Sequence, residues 1–395
     1  MNEAGAPKYL DFPYAEMQQK IKNAQALLKR ENMSGMVVTS ACNHFYFTGF
    51  RKLADWATFT RTVFVFIPVE KDPVIYVQDF AGPEAESRSA VRDVRTFHEI
   101  MGAPVDGVVD IMKELGMDHG KVGWELGYEQ RMDLAFNDYM AIKNKLPEAE
   151  FVDASSLIWE LRMIKLPFEI ECMRKVNDIA SRSFDRVFDE IEEGMTEKEV
   201  AQKFVAIMEE EGAELPGFII VISGEGNYER ISARPTDKTI NKGDMVWIDA
   251  GAKYLGYWTD FCRAGVVGGA SAEQNRLQDL IHEITLKGIA KIKPGVKVED
   301  VYNTCAEEFI KAGLPWSFEC GRAGHGVGLQ LTEPPSHARC DSSVLQAGMI
   351  VTVEPGYVDQ ALGCFDIEEN VLVTETGYEI LSSASRKLHT IKTKG

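Results

Sequence analysis

Four acidic side chains and one imidazole, spread from Asp249 to Glu368, are the residues of this 395-residue sequence whose types and spacing suggest chemistry. They are Asp249 in MVWIDAG, Asp260 in GYWTDFCR, His325 in AGHGVGL, Glu354 in VTVEPG and Glu368 in FDIEENV. Four carboxylates and an imidazole form a hard, oxygen-rich donor set. Such a set suits two divalent cations (Mn, Fe, Co or Zn) held close together by bridging carboxylates. Each acid also lies within or beside an apolar run, at what reads as a strand end, where an unpaired charge is costly. Any one of them alone is adequately explained as a strand cap or a lysine partner.

The elements that must position these groups recur twice. Past a break at Lys165-Leu166-Pro167, helical patterns at 167–191 and 197–212 precede strands at 218–223, 245–250 and 257–267. The second of those helices is opened by the capping box Thr196-x-x-Glu199. Two more helices, at 271–292 and 298–312, precede strands near 324–330, 349–354 and 366–374. Each half then delivers ligands from hairpin strands, Asp249 and Asp260 from the first, Glu354 and Glu368 from the second. His325 lies just ahead of the second set.

The first part of the chain reads as a separate α/β domain of about 150 residues. Apolar residues from Tyr14 to Arg30 recur at helical spacing, and β-type runs follow at 36–40, 62–68 and 74–78. The segment PVEKDP supplies the turn of a hairpin between the last two. Helical patterns at 105–116 and 128–144 flank a short strand around Val122–Trp124. The expected domains are 1–155 and 156–395, and the first carries no catalytic cluster. Its aromatic-rich stretch at 44–61 is explained by core packing of Phe45, Phe47 and Phe50.

A net charge of −18 with no basic cluster argues against a nucleic-acid-binding surface. An apolar content of 45% is ample for two cores. Seven scattered cysteines form neither a disulfide framework nor a Cys-x-x-Cys zinc pattern, and they fit a reducing cytoplasm. The first residues lack the basic and apolar regions of a signal peptide. No apolar run reaches the ~18 residues of a membrane span. A cytoplasmic protein with no membrane association is expected.

The motifs D-A-G-x5-Y-x2-D, G-H-G-V-G-L, V-E-P-G and I-E-E-N-V-L-V-T resemble those of the pita-bread metallopeptidases: aminopeptidase P, prolidase, methionine aminopeptidase and creatinase. The linker L-R-M-I-K-x-P-x-E-I-x-x-M-R is similar as well, so the resemblance covers nearly the whole chain. It implies an α/β creatinase/prolidase-like N-terminal domain followed by an α+β pita-bread catalytic domain. It also implies two divalent metal ions, a homodimer and a small-molecule or dipeptide-like substrate. In that resemblance Asp249 binds one ion, Asp260 and Glu368 bridge both, and His325 with Glu354 holds the other. A water between the ions becomes hydroxide near neutral pH, and Glu354 takes its remaining proton. In creatinase-like dimers the loop after the aromatic stretch reaches the partner's active site, so Trp56, Arg51 and Arg61 are candidates for substrate contact.

The sequence departs from the family at three places. Prolidases carry a histidine seven residues after the ligand histidine, where this chain has Thr332, and another where it has Ser232. Both normally donate to the substrate carbonyl and oxyanion, and removing such donors typically costs about 10²–10³ in rate each. His337 is a candidate replacement, its plainer reading being an exposed loop position. The third departure is Asp366, where peptidases of this group often have an arginine. Strand alternation puts it on the face of Glu368, with a salt bridge to Arg263 or Arg234 as the competing explanation. The same alternation sends Glu369 to the surface, and Glu333 reads as a loop or supporting acid.

The leading expectation is a dinuclear-metal hydrolase of a small amide or peptide-like C–N bond, related to Xaa-Pro peptidases. The alternative is a non-peptidase of the same fold, a creatinase-like amidinohydrolase or a sulfonium-cleaving lyase, acting on a small cationic substrate held by Asp366. A binding module that has lost the chemistry is disfavoured, because no ligand is missing.

Overall fold

A computed structural model describes residues 5–52, 61–316 and 321–394. The chain divides into two compact units between Arg162 and Met163. The first runs α1 (Tyr14–Arg30), β1 (Met33–Val38), α2 (Ala41–Thr48), β2 (Phe64–Pro68), β3 (Val74–Gln78), α3 (Gly82–Arg88) and β4 (Asp93–Phe97). It continues with α4 (Val105–Leu115), β5 (Gly120–Trp124), α5 (Phe136–Lys145), β6 (Ala149–Asp153) and α6 (Ser155–Met163). The strands form one sheet in the order β4-β3-β2-β1-β5-β6. The hairpin read from PVEKDP is the antiparallel β2–β3 pair, with Phe64 opposite Tyr76. Val108, Met112 and Ile142 pack against Val37, Phe66, Val122 and Trp124 in a single core.

Two local readings change. The helix expected at 128–144 begins only at Phe136. Ahead of it, Asp133 is committed elsewhere: its carboxylate accepts from Ala41 N, its carbonyl from Thr62, and its N–H donates to Thr39 Oγ1. Tertiary hydrogen bonds have taken the groups a helix would have used. The aromatic stretch, in contrast, folds as a helix, α2, capped by Ser40 and ended by Gly49 in the left-handed region. Asn43 to Thr48 are all buried, so no amphipathic period marks it. Phe45, Phe47 and Phe50 are core residues.

The second unit repeats one plan. Its first half holds α7 (Pro167–Glu190), α8 (Glu197–Glu210), β7 (Glu214–Ser223), β8 (Met245–Tyr254), β9 (Tyr257–Trp258) and β10 (Phe261–Val267). Its second half holds α9 (Ala272–Ile289), α10 (Val298–Lys311), β11 (Arg322–Gly326), β12 (Glu333–Ala338), β13 (Ile350–Val353), β14 (Tyr357–Asp359), β15 (Gly363–Phe365) and β16 (Glu369–Val373). β17 (Tyr378–Ile380) and β18 (His389–Ile391) finish the chain. One sheet runs β18-β10-β8-β7, with β9 on β8, and the other runs β12-β11-β13-β16-β17. Pro167 opens α7 at a position where its missing N–H is harmless. Thr196 and Glu199 close the expected capping box on α8, a motif whose cap is worth about 1 kcal/mol. A core of α9 and α10 side chains (Leu277, Ile281, Val301, Phe309) packs with Trp247, Val351, Val353 and Val371 from both sheets. That shared core sets the two ligand-bearing sheets at a fixed spacing.

Candidate metal centre

The ligand candidates sit mostly where strands are interrupted. Asp249 lies within β8 directly opposite Cys262 of β10, so the two side chains share a face. Asp260 occupies the gap between β9 and β10, and Glu368 the gap between β15 and β16. The reading of both as strand residues is therefore corrected: leaving the ladder turns their carboxylates inward. The gaps are tied together, because Asn370 Nδ2 donates to the Asp260 carbonyl (2.7 Å) and Arg263 Nη1 to the Glu368 carbonyl (2.9 Å). Glu354 follows β13 directly, and its N–H donates to Ala323 O (3.0 Å) on β11.

His325 is held at its backbone and at its ring. Its N–H donates to Thr352 Oγ1 (3.1 Å), and its Nδ1 faces Gly326 O (2.9 Å). The proton therefore belongs on Nδ1, and Nε2 is turned toward Asp260 Oδ2 (3.3 Å) and Glu354 Oε1 (3.5 Å). Burial alone lowers the His325 pKa, but the charges of Glu354 and Asp260 outweigh it and raise the pKa above the usual histidine value. The atom those acids draw a proton to is the one a cation would occupy. Thr352, two residues before Glu354, also donates to Glu354 Oε1 (3.3 Å), linking the His325 backbone amide to that carboxylate.

Asp260, His325 and Glu368 present ligand atoms within 4.8 Å of one another. Burial raises the Asp260 pKa against the opposing pull of His325. Glu368 has no such relief. Burial and the charges of Asp260, Glu354, Asp249 and Asp366 all push its pKa well above the usual carboxylate range. Its Oε1 is buried with no hydrogen-bond partner among the described residues. The donor set and this unrelieved carboxylate fit divalent cations, which supply the positive charge the chain leaves out. Cys262 is buried among Asp366, Glu368 and Asp249, and its thiol is held well above its usual pKa.

The other candidates are placed as follows. Asp366 is buried beside Glu368, with Arg263 committed elsewhere. Glu369 is a buried residue, correcting the surface reading: it accepts from Arg263 (2.8 Å), Arg386 (2.8 Å) and Ser382. Alternation did point it away from Glu368, but that side of β16 is a second interior. Glu333 is the first residue of β12 instead of a loop acid, buried with Lys165 3.4 Å away. His337 is likewise buried on β12 instead of exposed, its Nδ1 3.4 Å from Val298 O. Thr332 is half-buried just before β12, and Ser232 is exposed in the turns between β7 and β8. In the first unit Arg51 stacks on Phe45 (4.9 Å), and the Arg61 carbonyl accepts from Lys52 (2.8 Å). Trp56 lies outside the described residues. Two residues of the centre escaped the sequence reading, Thr352 and Arg322. For Thr352 a signal existed, since T-x-E in a strand shares one face.

The profile of metallopeptidase family M24 matches residues 171–375, more than half of the chain. The chain belongs to metallopeptidase family M24. The creatinase/prolidase N-terminal domain matches residues 20–164. As an M24 member with the pita-bread fold, the chain is a metal-dependent hydrolase that uses divalent metal. It is 28% identical over 375 residues to an Xaa-Pro dipeptidase of Pyrococcus furiosus, covering 94% of this chain and 100% of that one. Among solved structures, an Xaa-Pro dipeptidase from Bacillus anthracis superposes with a TM-score of 0.83 at 27% identity, covering 95% of this M24 chain and 100% of that one. A prolidase from Thermococcus sibiricus gives 0.83 at 27% identity, covering 96% and 100%.

Proposed function

We propose that this M24 enzyme hydrolyses a small peptide-like C–N bond, an Xaa-Pro dipeptide being the nearest substrate type, with two divalent ions (Mn, Fe, Co or Zn) held by Asp249, Asp260, His325, Glu354 and Glu368. The observation that carries this reading is Glu368, a buried carboxylate pressed by four acidic charges, with its Oε1 unpaired among the described residues and its ligand atoms beside those of Asp260 and His325. The names of the relatives support the substrate class. Bound divalent ions supply Lewis acidity, which acidifies water and polarises an amide carbonyl.

The chain's own residues do the rest. Asp260 and Glu368 would be the carboxylates shared between the ions, and the Nδ1–H bond to Gly326 would hold the His325 ring in the ligating orientation. Glu354 accepts a proton as water adds to the carbonyl carbon, and returns it to the nitrogen as the C–N bond breaks. Thr352 orients that carboxylate. The reading also takes the enzyme to be a cytoplasmic homodimer, which sedimentation and fractionation test.

Buried Asp366 keeps a second reading open, a non-peptidase with a small cationic substrate. In that case Asp366→Asn raises KM with metal content unchanged. The deciding assay is turnover of Xaa-Pro dipeptides and cationic amides by manganese- or cobalt-loaded protein. Dipeptide hydrolysis that a chelator abolishes and metal restores is expected. No turnover of any dipeptide by fully loaded protein contradicts the reading.

A further inference from the structure

Arg322 differs from the other charged groups of the centre. It lies three residues before His325 on β11, a spacing that sends side chains to opposite faces of a regular strand. The pairing with β12 slips between them, however, with Arg322 opposite Ala338 and His325 opposite Ser336. Three steps on β11 therefore match two on β12, so β11 carries one extra residue. Gly324 lies in this stretch at φ 141°, with the Thr352 carbonyl where a Cβ would stand. Bulges of this kind re-aim side chains beside active sites. Here the bulge returns Arg322 to the face of His325. Arg322 Nε lies 3.9 Å and His325 Nε2 3.5 Å from the same oxygen, Glu354 Oε1.

That separation is too long for a hydrogen bond. Among the described residues the guanidinium of Arg322 makes no hydrogen bond at all, although its Nε is buried. Arg263 shows how this chain treats a structural arginine. It donates to Glu369 and to the carbonyls of Cys262, Glu368 and Ala384. Arg322 instead keeps its donor fork unused, in the geometry that grips a carboxylate with two parallel bonds.

The side chains of His325, Asp260, Glu354 and Arg322 are 2%, 8%, 12% and 26% exposed, so Arg322 is the most solvent-accessible of these four. Asp366 is only 3% exposed. A substrate carboxylate can therefore reach the Arg322 guanidinium, whereas Asp366 is closed off.

We propose that Arg322 determines specificity by binding a carboxylate of the substrate, placing the adjoining C–N bond beside Glu354. This rests on the hydrolase reading and favours a substrate with a free carboxylate over a cationic one. The test compares manganese-loaded parent, Arg322→Met and Arg322→Lys proteins on the dipeptide Ala-Pro and its C-terminal amide. Calorimetry follows binding of L-proline and L-prolinamide, and elemental analysis gives metal content.

The parent should favour acid over amide by about 10–100-fold in kcat/KM, chiefly through KM. In Arg322→Met that ratio should fall to near one and proline binding weaken by a similar factor, with metal content as in the parent. Arg322→Lys should keep part of the preference. A parent indifferent to acid or amide, an equal loss on both in the variant, or loss of metal from the variant overturns the proposal. If the loaded parent turns over no Ala-Pro, the peptidase reading fails instead. Proline against prolinamide binding then still decides the role of Arg322.

Discussion

Two glutamates, Glu125 in the first unit and Glu368 in the second, are both removed from water, and burial raises the pKa of each. Around Glu125 the chain supplies what burial takes away. Asn43 Nδ2 (2.6 Å), Thr39 N (2.7 Å), Thr39 Oγ1 (2.9 Å) and Ser40 N (3.1 Å) all donate to it, and hydrogen bonds from Asn43, Thr39 and Ser40 pull its pKa back down against burial. Around Glu368 the neighbouring charges are Asp260, Glu354, Asp249 and Asp366, all of which push it further up. One buried acid is completed from within and is structural. The other is left among repelling charges, which protonation or a bound cation would relieve.

The widest gap between them should appear in Glu368→Gln. Hydrolysis should fall on the order of 10⁴-fold, about 5 kcal/mol of barrier. The metal-free protein should meanwhile become more stable by about 1–3 kcal/mol, because one repelling charge is gone. A peptidase assay and urea unfolding without metal check the two halves, and a less stable metal-free variant would break the contrast.

Arg263 extends it to cations. Its pairing with Glu369 is buried and its two terminal nitrogens donate four bonds, so Arg263→Met should lower unfolding free energy by about 3–5 kcal/mol. Arg322→Met should change it by less than about 1 kcal/mol.

The buried histidines divide in the same way. Acids pull His325 up, whereas burial pushes His337 down to about 4. Above pH 6.5 His337 is neutral in both the folded and unfolded chain, and its contribution is complete. Between 6.5 and about 4 only the unfolded chain takes the proton, so stability falls by about 3 kcal/mol over that window. Replacing His337 with Gln should flatten that part of the pH profile of unfolding. An unchanged slope would put the titrating group elsewhere.

Glu125→Gln is the smallest and opposite counterpart of the first test. It should lower stability by about 1–3 kcal/mol, since an amide nitrogen meets donors, and leave metal content untouched.

The convergence of the candidate ligands and the duplicated helix-pair-and-sheet plan were legible because each candidate interrupts an apolar run in a fixed order. Burial of Glu369 and His337 was not legible. Period-2 alternation shows that successive residues face opposite sides, but not that both sides of β16 are interior, nor which side of β12 is. Arg322 was hidden by the bulge at Gly324, which breaks the parity that a sequence reading must assume. The start of α5 and the existence of α2 depended on tertiary bonds from Asp133 and on burial of every α2 residue from Asn43 onward. Neither leaves a periodic trace.

Equilibrium dialysis against manganese followed by elemental analysis, on the parent and Glu368→Gln side by side, decides whether these residues hold metal. Two divalent ions per parent chain and a clear drop in the variant are expected. A parent that retains no metal, or a variant that retains as much as the parent, would contradict the proposed centre.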